Sequence, residues 1–276
     1  KLYRDSIAKP LYDRGLLAEY PPGSPFKIMT GLVALQEGVI NEQTSVVCNH
    51  GFSYARGRFM RCHCHGGVLQ LHRGIYESCN AFFGTAYMKT INKYVKPGYA
   101  VDVWSNHVKS FGLGKFMGYD LPTGRKGNIP DSKTYKRIYP NGGWRSTAIV
   151  SNAIGQGEVL MTPIQLANMM ATIANKGYYY TPHIIKKIEG KPIDKKFTTK
   201  HVTTINKKYF KPIIDGLFDV YNLGTAYHLK VEGIDICGKT GTAENFAKIG
   251  GVRTQLEDHS IFVAFAPKDN PKIAIA

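Results

Sequence analysis

The chain has 276 residues and a formal net charge of +16. This length can bury a core as one large domain, or as one domain with a lobe. The sequence contains no run of about 18 apolar residues, the length that a membrane span requires. The lysines are scattered and accompany no nucleic-acid-binding motif, and both observations argue against a nucleic-acid partner. The positive charge suits an anionic membrane surface, an anionic cell-wall polymer or a merely solvated surface.

The first large predicted helix covers residues 24–37, after a short helical piece and a turn in residues 1–23. Its apolar residues surround most of the circumference, so we expect it to be central and buried. Ser24 lies at the mouth of this helix, and Lys27 follows one turn later on the same face. A serine here is often only a helix cap, but a lysine on a largely apolar helix needs a partner, which favours a functional pair.

The next part of the chain contains a second polar motif, Ser78-Cys79-Asn80. Residues 41–75, which are rich in Cys, His, Gly and Arg, predict irregular structure, and residues 79–95 predict a helix. Taken alone, the motif is equally consistent with an ordinary cap on that helix. Residues 97–147 predict loops and a lobe that lines a cleft, with one helix near 100–110.

A strongly signalled helix follows Gly155-Gln156-Gly157. Thr162 is its predicted N-cap, Pro163 takes the first helical position, and Gln165 completes a capping box. The helix is expected to end at Gly177. Its apolar stripe is typical of a core helix.

The third motif, Lys239-Thr240-Gly241-Thr242, follows an alternating stretch over residues 231–236. Glycines within a strand often mark the close approach of a ligand, although a surface hairpin would also account for the pattern. The remaining predictions for this part are short strands and loops over 182–205, a helix over 206–221, and strands over 230–245, 259–267 and 272–276.

Together the three motifs carry the groups that acyl transfer needs. The Ser24 hydroxyl is a nucleophile once a base removes its proton, and Lys27 is the candidate base. Lys27 must be neutral to act, so its pKa must fall through burial and through a second cation, for which Lys239 is the candidate. Ser78 would relay a proton between Lys27 and the leaving nitrogen, and Asn80 would hydrogen-bond a substrate amide.

The third motif would hold the substrate. The backbone N–H groups of Ser24 and Thr242 could form an oxyanion hole at the helix N-terminus. The hydroxyls of Thr240 and Thr242, with Lys239 behind them, suit a substrate carboxylate. Gly241 belongs to the same binding stretch, along which a peptide could lie as an added strand.

In this order, the motifs resemble the transpeptidase domain of class B penicillin-binding proteins, most closely the penicillin-binding protein 2 group. The resemblance covers nearly all of the chain, and Pro25 departs from it where relatives usually carry threonine. By that resemblance Ser24, Lys27, Ser78, Asn80 and Lys239 take the catalytic roles just described. The matching stretches are Tyr20-Pro21-Pro22-Gly23-Ser24, Glu77-Ser78-Cys79-Asn80, Ile154-Gly155-Gln156-Gly157, Thr162-Pro163-Ile164-Gln165-Leu166-Ala167, Gly224-Thr225-Ala226 and residues 238–242.

The resemblance implies an α+β fold of three layers, in which an antiparallel sheet is flanked by helices. Residues 1–276 would be a partial transpeptidase domain, with a helical and cleft lobe over about 24–180 and a C-terminal helix and sheet over about 206–276. The membrane anchor, a pedestal domain, the N-terminal strands and the end of the last strand would lie outside this fragment. Ile273 and Ile275 would then form an unpaired apolar edge, from which we expect poor solubility.

The implied function is a peptidoglycan D,D-transpeptidase that cross-links stem peptides through a Ser24 acyl-enzyme and is acylated by β-lactams. A serine β-lactamase, a D,D-carboxypeptidase and a β-lactam sensor without turnover are the alternatives. Glu158 is a poor candidate for a base that would hydrolyse the acyl-enzyme. The family also implies the periplasmic face of the bacterial inner membrane, and a membrane glycosyltransferase of the cell-elongation machinery as a partner.

Four of the five cysteines lie between positions 48 and 79, together with His50, His63 and His65. Zinc, a disulfide and ordinary thiols all remain open, and the mixed Cys/His composition favours zinc. Some relatives in the penicillin-binding protein 2 group look to have a structural zinc at this place, with carboxylates at the first two positions, where this chain has Cys48 and Cys62. The expected ligands are Cys48, Cys62, His65 and Cys79, with His63 and Cys64 as substitutes; no organic cofactor is expected.

Overall fold

The computed structural model describes residues 9–243 and 246–276. The helices are α1 (Arg14–Leu17), α2 (Lys27–Gln36), α3 (Leu71–Tyr76), α4 (Asn80–Asn92), α5 (Pro97–Lys109), α6 (Ser132–Ile138), α7 (Pro163–Ala174), α8 (Lys195–Thr198) and α9 (Phe210–Asn222). The strands are β1 (Val46–Cys48), β2 (Gly51–Ala55), β3 (Arg58–Arg61), β4 (Gly67–Leu69), β5 (Tyr178–Tyr179), β6 (His201–Val202), β7 (Cys237–Ala243), β8 (Phe246–Ile249), β9 (Val252–Gln255), β10 (His259–Ala266) and β11 (Ile273–Ile275). Short 3₁₀ turns occupy Ser24–Phe26, Ser146–Ala148, Val150–Ile154, Lys207–Tyr209 and Tyr227–Leu229.

Helix α2 lies at the centre of the molecule. All its residues from Lys27 to Leu35 are buried, and it contacts α4, α5 and α9. A 3₁₀ turn that contains Pro25 leads into it. The helix is apolar on nearly every side, so burial on all sides is its most favourable environment, and the predicted central helix is confirmed.

A three-stranded antiparallel sheet in the order β11-β10-β7 forms the second part of the core. Its register pairs Val263 with Lys239 and Phe265 with Ala274. Helix α9 packs against β7, while α7 packs against β10 and β11. This is the predicted α+β arrangement of an antiparallel sheet with flanking helices. Among residues 9–243 and 246–276, no helix has the length and hydrophobicity that crossing a bilayer requires.

The strand predicted over 230–245 begins only at Cys237. The residues before it follow a 3₁₀ turn, and Val231 and Ile234 are exposed. Pairing with β10 ends at Cys237, opposite Phe265. In the described part of the chain the alternating pattern therefore meets no partner strand, and the prediction for 230–236 is wrong. Positions 244 and 245 of the predicted strand lie outside the described residues.

Residues 41–75 are more ordered than the sequence predicted. Strand β1 pairs with β4, and β2 pairs with β3, before α3 begins at Leu71. The helix predicted over 206–221 is divided into the 3₁₀ turn and α9.

Among residues 9–243 and 246–276, strand β11 lies at the edge of the three-stranded sheet. The side chains of Ile273 and Ile275 are 60% and 43% exposed. Such an edge offers unpaired backbone groups to another chain, and the poor solubility inferred from it remains a prediction.

Candidate active site

Two serines and a lysine from the first two motifs meet at the N-terminus of α2. The Nζ of Lys27 donates to the Oγ of Ser24 at 3.0 Å and to the Oγ of Ser78 at 3.0 Å. It also donates to the backbone carbonyl of Ser78 at 2.7 Å. Lys27 therefore bridges the two hydroxyls, as the proposed proton path requires.

Both motif lysines are buried, with exposed fractions of 2% for Lys27 and 1% for Lys239. Burial lowers the pKa of Lys27 to about 8, although the nearby thiols of Cys62 and Cys79 act in the opposite direction. Burial also lowers the pKa of Lys239 well below its usual value, and the charge of Lys27 lowers it further. The sequence predicted that the charge of Lys239 would help to lower the pKa of Lys27. In the structure burial lowers the pKa of Lys27, and the charge of Lys27 instead lowers the pKa of Lys239.

Ser78 has a left-handed backbone, with φ of +58°. Its N–H donates to the carbonyl of Ile75 at the end of α3, and the next residue, Cys79, caps α4 by accepting from the N–H of Phe82. A non-glycine residue in this conformation costs free energy and is common at functional sites. The tight connection between α3 and α4 turns the Ser78 hydroxyl toward Lys27, and no feature of the sequence predicted it.

Asn80 is half-buried and is held from two sides. Its N–H donates to the Sγ of Cys62 at 3.1 Å, and its Nδ2 donates to the carbonyl of Arg61 at 2.7 Å. A side-chain amide has two N–H donors and one carbonyl acceptor. One N–H and the Oδ1 therefore remain for the predicted contact with a substrate amide.

The third motif lies on β7, directly against the mouth of α2. A Cβ on Gly241 would lie 2.4 Å from the Cδ of Pro25, and a Cβ on Gly23 would lie 2.9 Å from the carbonyl oxygen of Thr242. Lys239 donates to the carbonyl of Thr240 at 3.2 Å. The structure therefore brings all three motifs to one place, and glycine at 241 is what permits the approach.

Replacing Gly241 by alanine should lower the free energy of unfolding by about 1–3 kcal/mol. The added methyl would overlap the ring of Pro25, which cannot rotate away. Urea unfolding measures the change. Gly98→Ala is the matched control, because its Cβ would lie 3.6 Å from the Cβ of Ser132. If both variants were as stable as the wild type, β7 would not lie this close to α2.

Gly155 supports the turn that carries Ser24. Its φ is +69°, and its carbonyl accepts the N–H of Gly23 at 3.0 Å. A Cβ at this position would lie 2.4 Å from the carbonyl oxygen of Gly23. The sequence singled out residues 155–157 only as the approach to a helix, so their role beneath the nucleophile turn was missed. That helix, α7, keeps the predicted Gln165 contact, since Oε1 accepts the N–H of Thr162.

Four buried cysteines form a cluster beside the second motif. The Sγ atoms of Cys48, Cys62, Cys64 and Cys79 all lie within 4.8 Å of one another. Three of the separations are 3.2 to 3.7 Å, close to the roughly 3.8 Å between sulfurs on a tetrahedral zinc with bonds of about 2.3 Å. The hydrogen bond with Cys79 lowers the pKa of Cys62 to about 3, whereas burial raises the pKa of Cys64, and the hydrogen bond with Cys62 together with burial raises the pKa of Cys79. The close spacing of four buried sulfur donors is what fits zinc, whose binding releases the thiol protons.

The structure changes one of the predicted ligands. It places Cys64 in the cluster in place of His65, whose side chain is 87% exposed and lies 3.5 Å from the carboxylate of Glu77. His63 is also exposed. The two residues lie in a short connection in which alternate side chains point inward, so Cys62 and Cys64 share the buried side. The cysteines at 48, 62 and 79 lie together as predicted.

A family model described as the penicillin binding protein transpeptidase domain matches residues 3–276. The chain is 30% identical to the peptidoglycan D,D-transpeptidase MrdA of Acinetobacter baumannii, over 99% of this chain and 41% of that protein. It is also 30% identical to penicillin-binding protein 2 of Pseudomonas aeruginosa, solved with WCK 5153, with a TM-score of 0.83 over 99% of this chain and 59% of that one.

A third relative is penicillin-binding protein 2 of Helicobacter pylori, solved in complex with MreC. It is 29% identical, with a TM-score of 0.79 over 98% of this chain and 48% of that one. The chain spans about two fifths of the length of the curated relatives that it matches. Since the family model matches almost every residue and the fold agrees, the chain belongs to the family of penicillin binding protein transpeptidase domains.

Proposed function

We propose that this domain is a peptidoglycan D,D-transpeptidase that cross-links stem peptides through an acyl-enzyme on Ser24 and is acylated by β-lactams. The observation that carries the proposal is the bridge from Lys27 to the hydroxyls of Ser24 and Ser78, both at 3.0 Å. A serine activated by a neighbouring base is the arrangement that covalent acyl transfer needs.

In the first step the Oγ of Ser24 bonds to a carbonyl carbon of the stem peptide, and its proton passes to neutral Lys27. The bond to the leaving nitrogen then breaks, and that nitrogen takes a proton through Ser78. An amine of a second stem peptide attacks the resulting ester, loses its proton to the same path and releases Ser24. Asn80 would orient the substrate amide, and the N–H groups of Ser24 and Thr242 would stabilise the oxyanion.

The surroundings of Glu158 argue against this residue as the base that would hydrolyse the acyl-enzyme. Its carboxylate accepts from the hydroxyl of Tyr135 at 2.9 Å, and no hydrogen bond joins it to Ser24 or Lys27 among the described residues. Glu158 is therefore not positioned to activate water at a Ser24 acyl-enzyme. This favours the transpeptidase over the β-lactamase.

Intact-protein mass spectrometry with benzylpenicillin tests the function. We expect the protein to gain the mass of one penicillin and to retain it for many minutes after free penicillin is removed. No added mass would reject the acyl-transfer site. An adduct that is lost within seconds would indicate a β-lactamase.

The rate of penicillin acylation should rise with pH between about 6 and 9. Lys27 acts as a base only when neutral, and its pKa is lowered to about 8. Below that pKa the neutral fraction grows about tenfold per pH unit, and above it the rate should level off. Stopped-flow measurements over this range, with thermal unfolding as a control for stability, give the profile. A rate that stays constant from pH 6 to 9 would exclude Lys27 as the base.

We further propose that the cluster of Cys48, Cys62, Cys64 and Cys79 holds a structural zinc. Four thiolates leave no open coordination position, so the metal would cross-link the 48–64 segment to the second motif and supply no reactive water. Cys62 already accepts the N–H of Asn80. The metal would therefore fix the position of the backbone N–H of Asn80.

Protein purified without chelators should contain about one zinc per chain by elemental analysis. Cys64→Ser should lose most of that zinc, because Cys64 lies inside the cluster. His65→Ala should retain it, since His65 points to solvent. Less than about 0.2 zinc per chain in the wild-type protein would refute the metal site.

The cellular setting is proposed from the family. The domain would act on the periplasmic face of the inner membrane, attached through an anchor, and would work with a membrane glycosyltransferase of the elongation machinery. Its net charge of +16 is compatible with a setting close to anionic lipids or cell-wall polymers.

A further inference from the structure

The Gly224-Thr225-Ala226 stretch has a place in the fold but no role in the mechanism above. It begins two residues after the end of α9, and the N–H of Ala226 donates to the carbonyl of Val220 at 3.0 Å. This contact leaves Thr225 exposed while Ala226 is buried. An exposed threonine that is held in a fixed position can orient another polar group.

The stretch is fixed to the backbone just before the second motif. The N–H of Thr225 donates to the carbonyl of Tyr76 at 3.1 Å. A Cβ on Gly224 would lie 2.3 Å from the same carbonyl oxygen, so glycine permits this contact. Tyr76 is two residues before Ser78, and Thr225 is therefore tied to the segment that presents the second hydroxyl.

The side chain of Thr225 reaches the third motif. Its Oγ1 lies 3.1 Å from the Oγ1 of Thr240, and either oxygen can be the donor. Each hydroxyl has one proton and two acceptor sites. If Thr240 gives its proton to a substrate anion, its contact with Thr225 must be filled by the proton of Thr225. An anion at Thr240 therefore fixes the direction of both hydrogen bonds.

We propose that Thr225 is a positioning residue that orients the hydroxyl of Thr240 toward the carboxylate of the substrate or β-lactam. This inference rests on the proposed function. Thr225 would discriminate between ligands by their negative charge, since a hydrogen bond to an ionised group is stronger than one to a neutral group. A neutral ligand would gain less from an oriented hydroxyl.

The test compares benzylpenicillin with its uncharged methyl ester. Thr225→Val should slow acylation by the acid about three- to tenfold, the usual effect of one hydrogen bond, and acylation by the ester less than about twofold. Thr225→Ser, which keeps the hydroxyl, should restore the rate for the acid. If the valine variant fails to fold, as judged by its thermal unfolding, Thr225→Ala repeats the measurement without added bulk.

A double-mutant cycle makes the test sharper. Once Thr240→Val has removed the partner hydroxyl, Thr225→Val should cause little further loss with the acid. Equal losses for acid and ester, independent effects of the two substitutions, or no loss with the acid would each overturn the inference. A wild-type protein that penicillin does not acylate would instead end the proposed function, and the inference with it.

Discussion

Replacing Ser24 by alanine should abolish covalent labelling by penicillin, with a loss of at least about 10⁴-fold in acylation rate. The other hydroxyl on the Lys27 amine, that of Ser78 at 3.0 Å, has the role of proton relay in the proposed mechanism and does not attack the carbonyl. The fold should survive. Lys27 keeps both the hydroxyl and the carbonyl of Ser78 as partners, so no buried amine is left unpaired. Gel fluorescence with a labelled penicillin measures the loss.

Ser45→Ala is the control for this experiment. Ser45 is exposed, and its hydroxyl donates only to the carbonyl of Gln43 at 3.3 Å. Labelling of that variant should equal the wild type. Persistent labelling of Ser24→Ala would remove the nucleophile assignment.

Replacing Lys27 by methionine should slow acylation by about 10²- to 10⁴-fold, the usual contribution of a positioned general base. Methionine has a similar length and suits the apolar surroundings of α2, but it cannot accept the proton of Ser24. Unlike Ser24→Ala, this variant keeps the nucleophile, so slow labelling should remain at long incubation. Stopped-flow acylation over a range of penicillin concentrations measures the rate.

The stability of Lys27→Met separates catalysis from folding. The pKa of Lys27 is lower in the folded state, so the unfolded state binds the proton more readily, at a cost of about 3 kcal/mol to the folded state. That cost is full below pH of about 8 and disappears as the pH rises through about 10.5. Methionine removes the cost together with three hydrogen bonds, and we expect the variant to stay folded at pH 7. Lys89→Met, at an exposed position of α4, should label normally; a Lys27→Met protein that labelled equally fast would rule out Lys27 as the base.

The meeting of Ser24 and Lys27 could be predicted from the sequence because it depends on helix geometry alone. Residues three apart lie on one face, and an apolar helix around them predicts burial. The approach of β7 to the mouth of α2 could be predicted less directly, from the glycine at position 241 between two polar residues. In both cases the local pattern determines the contact.

The position of the Ser78 hydroxyl could not be predicted in the same way. It depends on a left-handed residue between α3 and α4, which a serine in a short polar motif does not signal. The sequence also could not show that Cys64, and not His65, belongs to the cysteine cluster. Side chains in that connection alternate between the buried and exposed sides, and only the fold of β1 to β4 shows which side is buried.

The false strand over 230–236 illustrates a different limit. Alternating apolar residues fit a strand, but a strand also needs a partner, and the pairing of β7 with β10 ends at Cys237. Val231 and Ile234 are left 46% and 50% exposed. The pattern alone cannot show where a neighbouring strand stops.

In the proposed reaction one serine, at the mouth of α2, receives the acyl group. Trypsin should release residues 15–27 as a peptide in which Ser24 is the single serine, and residues 74–89 as the peptide that contains Ser78. Tandem mass spectrometry of the penicillin-treated protein should find the adduct on Ser24 in the first peptide. An adduct on Ser78, on a cysteine or on any residue outside 15–27 would contradict it.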